Sequence, residues 1–212
     1  MVVNKELLEE IKNCFLKSKG SHDFEHTKRV YNLCMHIGKI EKGNLNVLKI
    51  AALMHDIARN KEDKVKGKIC HAEYGAKLAK KILKKYNFNE KIINEVIHCI
   101  KSHRFRGENK PKTLEAKILF DSDKLDSIGA VGIGRAFLFA GEVNAKLHDK
   151  NVDIKNTKSY TKEDTAYREY LVKLKKIKNK MLTKEGKRIA KSRDKFMKEF
   201  FDRLNKEVDG LV

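Results

Sequence analysis

His26, the adjacent pair His55-Asp56, and Asp123 together offer enough nitrogen and oxygen donors for one divalent metal ion. Imidazole and carboxylate without thiolate suit Mn, Fe, Co, Ni, Zn or Mg, and do not match a structural zinc site built from cysteines. With four or fewer protein ligands, positions stay open to water. A bound divalent ion lowers the pKa of that water towards neutrality and supplies a hydroxide nucleophile. The chemistry implied is metal-assisted hydrolysis.

These residues act together only if the chain between them folds to bring them to one place. Residues 44–59 show apolar Leu48, Ala51, Ala52, Met54 and Ile57 at three-to-four spacing, which predicts an amphipathic helix with His55 and Asp56 near its C-terminal end. Neighbours on a helix point about 100° apart, so both can turn towards one ion, whereas neighbours on a strand face opposite sides. Residues 24–40 predict a second helix, with Val30, Leu33, Cys34 and Ile37 as its apolar face and His26 one turn before Val30. Asp123 lies in a third helical stretch, residues 114–125, with Ile118, Leu119 and Leu125 as its apolar stripe.

The rest of the 212 residues agrees with an all-α fold. Pro111 is the single proline, Lys, Glu, Leu, Ile and Ala are abundant, and no alternating strand pattern of convincing length appears. Gly20, Gly43, Gly67, Gly107 and Gly186 fall between periodic segments and serve as helix stops or loop residues. The expectation is a single compact helical domain over residues 1–212, with a metal-site core at about 20–140 and a helical extension at about 160–209. A polar interlude at 147–161 reads as a long loop between them.

Nothing near the N-terminus resembles a secretory signal, because Lys5, Glu6, Glu9, Glu10 and Lys12 interrupt the first apolar stretch, and none is expected. No apolar run is long enough to span a bilayer, and the expected location is cytoplasmic. Cys14, Cys34, Cys70 and Cys99 are dispersed and are expected to be buried free thiols. The net charge of +19 would attract nucleotides or nucleic acid, but Lys also solvates helix faces. Around Leu174 and Ile177 the run from Lys173 to Lys180 has no interleaved aromatic residues of the kind that stack on single strands. A solvated face is favoured there over nucleic-acid binding.

The ordered stretches His22-Asp23-Phe24-Glu25-His26, Leu53-Met54-His55-Asp56-Ile57 and Asp121-Ser122-Asp123-Lys124 resemble the HD-domain superfamily of metal-dependent phosphohydrolases. Its pattern is a His, then a His-Asp doublet, then a distant Asp, all on helices. His71-Ala72-Glu73-Tyr74-Gly75, Ser102-His103-Arg104, Thr113-Leu114-Glu115-Ala116 and Arg135-Ala136-Phe137 are similar to small stand-alone HD proteins that include nucleotide pyrophosphatases, relatives of the HD domain of ribonuclease Y. The resemblance covers most of residues 20–140 and, more loosely, Met181-Leu182-Thr183 and residues 190–200. It implies an all-helical HD fold and hydrolysis of nucleotides or related phosphoesters.

Under that resemblance His26, His55, Asp56 and Asp123 hold the ion, and Asp56, Lys124 and Glu25 are the candidate catalytic groups. Extra histidines between the doublet and the last Asp bind a second ion in two-metal HD enzymes, so His71 and His103 are candidates for that role. One ion, with His71 and His103 supporting its ligands or the substrate phosphate, is favoured because no bridging carboxylates beyond Asp56 are evident. Arg59, Arg104 and His22 are further candidates for substrate contact. Asp126, one turn beyond Asp123, is a candidate for orienting an imidazole or moving a proton. His36, His98 and His148 are assigned to helix faces or the core. Gly129, Gly132 and Gly134 do not follow the order of a dinucleotide-binding loop and are read as allowing close helix packing. Phe196, Phe200, Phe201 and Leu204 on the last helix are read as core, with a subunit contact as the alternative.

The expected activity is hydrolysis of a nucleoside triphosphate or deoxynucleotide by water activated on the metal. A phosphodiesterase acting on cyclic nucleotides or short RNA is the alternative. A non-catalytic nucleotide-sensing module is a third reading, opposed by the complete ligand set.

Overall fold

The structure is a computed structural model and describes residues 3–16, 24–65, 68–104 and 109–212. His22 and Asp23 lie outside the described residues. The described residues form helices joined by turns and loops, with no strand among them. No helix among them is long and apolar enough to cross a membrane. Residue contacts divide the chain into two compact units, Met1–Asp123 and Lys124–Val212. The division falls near the end of a helix, ahead of the polar interlude.

The first unit contains α1 (Lys5–Asn13), α2 (Phe24–Glu41), α3 (Leu45–Met54), α4 (Arg59–Lys64), α5 (His71–Lys85), α6 (Glu90–Ser102) and nearly all of α7 (Leu114–Leu125). Asparagines start three of them: Asn4, Asn44 and Asn89 each accept a hydrogen bond from a first-turn N–H that has no partner inside the helix. At the centre lies α3, which buries Val47, Leu48, Ile50, Ala51, Ala52, Leu53 and Met54. It packs on α2 and α6, and α5 packs on α6. Each fully buried Leu or Ile stabilises the unit by about 2–3 kcal/mol.

The predicted helix over 44–59 instead ends at Met54, and a turn over residues 55–58 leads into α4, which begins at Arg59. After Met54, the Ile57 N–H bonds the Met54 carbonyl at 3.4 Å and the Arg59 N–H bonds the Asp56 carbonyl at 2.9 Å, both three residues back. The His55 ring takes the Ala52 carbonyl at 2.8 Å and so caps the end of α3. Ile57 and Ala58 are buried in the turn, which carries the apolar stripe across the break.

The second unit holds α8 (Gly129–Glu142), α9 (Ala166–Val172), a 3-10 segment (Leu174–Lys180) and α10 (Lys184–Val208). The Lys-rich run is the 3-10 segment. Its buried pair, Leu174 and Ile177, is spaced by three, which matches three residues per turn. On α10, Phe201 is buried and stacks on Tyr170 with ring centroids 4.6 Å apart, while Phe196 is 47% exposed. The core reading thus holds for Phe201 and not for Phe196. Arg168 ties down the polar loop ahead of α9 by bonding Asp164 at 2.8 Å and the Thr157 carbonyl at 2.7 Å.

All four cysteines are free. Cys34 and Cys99 are buried as expected, whereas Cys14 and Cys70 are half-buried. Burial pushes the Cys34 thiol up to about 12, which leaves it a neutral core group.

Candidate metal centre

The first unit brings two triads of possible ligands together: His26, His55 and Asp123, and Asp56, His71 and His103. In the first, α2 contributes His26, the C-cap of α3 contributes His55, and α7 contributes Asp123. The His26 and His55 Nε2 atoms are 3.3 Å apart, and His26 Nε2 is 3.5 Å from Asp123 Oδ1. Both rings are fully buried.

In the second triad, His71 is the first residue of α5 and His103 is the C-cap of α6. Their Nε2 atoms are 3.2 Å apart and lie 3.4 Å and 3.5 Å from Asp56 Oδ1. The other oxygen of the same carboxylate, Asp56 Oδ2, is 3.8 Å from both His26 Nε2 and His55 Nε2. Asp56 therefore presents one oxygen to each triad.

Hydrogen bonds on the far side of the rings fix which nitrogen carries the proton. His103 Nδ1 donates to the Ile100 carbonyl at 2.6 Å, as His55 Nδ1 does to Ala52; two helix ends use the same capping device. His71 Nδ1 donates to Glu62 Oε2 at 2.5 Å. A carbonyl and a carboxylate can only accept, so the tautomers follow from the partners. Nε2 of His55, His71 and His103 is then a bare lone pair facing inward.

Burial lowers the His55 pKa to about 4, although Asp56 and Asp123 pull the other way, and it lowers that of His71 as well. Both rings are neutral near pH 7. The Nε2 atoms of His71 and His103 face each other at 3.2 Å, and with Nδ1 as the donor on each ring neither neutral tautomer has a proton to offer the other. A cation between them would give both lone pairs a partner. Donors about 2.0–2.2 Å from one ion lie roughly 3–3.5 Å from each other, so the spacing fits the group the sequence implied. Imidazole and carboxylate donors suit a catalytic transition-metal or zinc ion.

Glu62 was missed by sequence reasoning. It is buried on α4, six residues beyond Asp56, and besides His71 it meets Arg59 Nη1 at 3.3 Å and Arg104 Nη1 at 3.1 Å. Burial opposes its ionised form, but His71, Arg59 and Arg104 hold its carboxyl below the usual carboxylate range. In the sequence it stands among Lys61, Asp63 and Lys64 and looks like one more charge on a surface helix. No local signal marks it.

The other expected site residues fall in different places. Glu25 is exposed and pairs with Lys28 at 2.5 Å, so it does not join either triad. Arg59 and Arg104 stand together on Glu62, and Arg104 also donates to Cys70 Sγ at 3.2 Å. Asp126 is buried and bonds Arg135 Nη1 at 2.8 Å. Its carboxylate is thus engaged with a guanidinium. Lys124 follows Asp123 in α7 and is half-buried. His22 lies outside the described residues.

The sequence pattern of the HD domain family matches residues 23–128. YpgQ of Bacillus subtilis is 32% identical over 206 residues, which cover 95% of this chain and 91% of that one. The crystal structure of YpgQ in complex with ADP superposes with a TM-score of 0.74 over 97% of this chain and all of that one, at 28% identity. A predicted HD superfamily hydrolase from an uncultured Thermotogales bacterium is 30% identical, with a TM-score of 0.70, 97% of this chain covered and 93% of that one. Ribonuclease Y of Chloroflexus aurantiacus is 27% identical over 108 residues, 51% of this chain and 19% of the longer enzyme.

Proposed function

The chain belongs to the HD-domain family, and on that premise we propose that it is a divalent-metal-dependent phosphohydrolase acting on nucleotides, with two ion positions that share Asp56. The observation that carries the reading is the pair of inward-facing imidazole nitrogens 3.2 Å apart on His71 and His103, set against Asp56 Oδ1 beside a like set at His26 and His55. Sequence alone favoured one ion. Asp56, as a carboxylate with one oxygen towards each triad, supports two.

Held by these histidines and carboxylates, a divalent ion would supply Lewis acidity towards a phosphoryl oxygen and would make water nucleophilic near neutral pH. The chain's own residues hold and orient. His55 and His103 are locked by their helix-end carbonyls, so their nitrogens need little reorganisation to receive a ligand. Arg59 and Arg104 sit at the Glu62 edge of the second triad, and their guanidiniums are a quarter to a third exposed. A guanidinium recognises phosphate bidentately. We assign them to the substrate phosphates. The nucleotide class is supported by the family and by the ADP found in the YpgQ crystal.

The test is metal-stripped protein, restored with each divalent ion in turn, against nucleoside mono- and triphosphates, cyclic nucleotides and short RNA, with products resolved by chromatography. We expect triphosphate to be consumed only with metal. Asp56→Ala should lose turnover by three orders of magnitude or more while circular dichroism stays helical. Turnover retained in that variant would overturn the assignment. Cleavage confined to diesters would replace the nucleotidase reading with the phosphodiesterase one, and binding without product would replace it with a sensor.

A further inference from the structure

The second triad differs from the first in one respect. Where His55 and His103 are held by carbonyls of their own helix ends, His71 starts its helix and has no such carbonyl behind it. Its Nδ1 is instead met by Glu62 from α4, nine residues earlier in the chain, at 2.5 Å. Glu62 is 5% exposed, and both of its oxygens are engaged by cations or by the imidazole. A buried carboxylate is costly unless compensated, and two guanidiniums compensate this one.

We propose that Glu62 is the positioning residue of the second ion position: it seats the proton of His71 on Nδ1, aims Nε2 at Asp56 Oδ1 and His103, and moors Arg59 and Arg104 beside the same site. The role rests on the two-ion reading above for its metal consequence, but not for its effect on the imidazole. A carboxylate behind a metal-bound imidazole fixes the ring and raises its basicity, and losing such a partner weakens metal binding by roughly 10–100-fold. A neutral amide cannot replace it. Glutamine would have to turn its NH2 either to a guanidinium or to the His71 N–H, leaving two donors face to face.

Two measurements test this. In metal-free wild-type protein at pH 8, histidine nitrogen shifts should show His71 protonated on Nδ1, assigned by loss of that signal in His71→Asn. In Glu62→Gln the signal should move towards the Nε2–H form. Calorimetric titration with Mn2+ should then give two ions per wild-type chain. In Glu62→Gln one of the two sites should loosen by roughly 10–100-fold while the other changes less than about threefold. Wild-type His71 protonated on Nε2 would overturn the proposal without any variant having to fold. So would a Glu62→Gln chain that keeps both its nitrogen shifts and its second ion. A wild-type chain that binds one ion would remove the two-ion reading, and the nitrogen shifts would then decide the hold of Glu62 on His71 by themselves.

Discussion

At the scale of single residues, the site depends on keeping imidazoles neutral inside a protein core. His55 has its pKa lowered to about 4 by burial, against an ordinary value of 6.5. Below pH 6.5 the unfolded chain takes up a proton at this position that the folded, metal-free chain refuses, so acid favours unfolding. Stability of the metal-free protein should therefore be full above pH 6.5 and fall as pH drops towards 4. The His55 share of that loss is about 3 kcal/mol. Urea unfolding of metal-free protein at pH 7, 6 and 5 measures it, and a midpoint that does not move over that window would contradict the burial account. At this scale the candidate cluster was legible, because residue type and order alone name His26, His55, Asp56 and Asp123, which the fold brings together. Glu62 was not, since its role comes from burial and from partners 9 and 42 residues away, which local charge patterning does not reveal.

At the scale of elements, the turn between α3 and α4 decides how the His55-Asp56 pair is presented. Helical spacing predicted that the two side chains converge, and the structure reaches convergence by ending the helix at Met54. Periodicity could not reveal the break, because Ile57 and Ala58 continue the buried stripe while the hydrogen bonds shift to three-residue spacing. Against this turn lies Gly75 of α5, where an added Cβ would meet Ala58 Cβ at 3.5 Å, an ordinary contact. Gly75→Ala should stabilise α5 by up to about 1 kcal/mol in thermal melts, from helix propensity. Gly132 in α8 is the opposite case: its Cβ would fall 2.3 Å from the Ser127 carbonyl oxygen. Gly132→Ala should destabilise by roughly 1–3 kcal/mol. Equal melting temperatures for the two variants would show that backbone approach at Gly132 is not a constraint. The sequence reading of that glycine as a packing residue needed only its neighbours; the partner carbonyl was beyond it.

At the scale of the molecule, a net charge of +19 raises the local concentration of anions around the whole chain. For an anionic nucleotide this predicts a kcat/KM that falls several-fold between about 0.05 and 0.5 M salt while kcat holds, because screening acts on encounter and not on the chemical step. A kcat/KM indifferent to salt would assign the excess Lys to solvation alone. Fold class was legible at this scale from composition and periodicity. The division at Asp123 and Lys124 was not, because it falls inside a continuous helix with no change of composition.

Asp56 carries a consequence for how such a chain can diverge. Its two oxygens face different triads, so on the two-ion reading proposed above neither position could be dismantled at residue 56 without damaging the other. A descendant that keeps a single ion has to shed the other through private residues. It would lose His71 and His103 on one side, or His26 and Asp123 on the other, with the aspartate left in place. On that reading an intact His-Asp doublet would not by itself tell how many ions a relative holds; the histidines at the starts and ends of its neighbouring helices would.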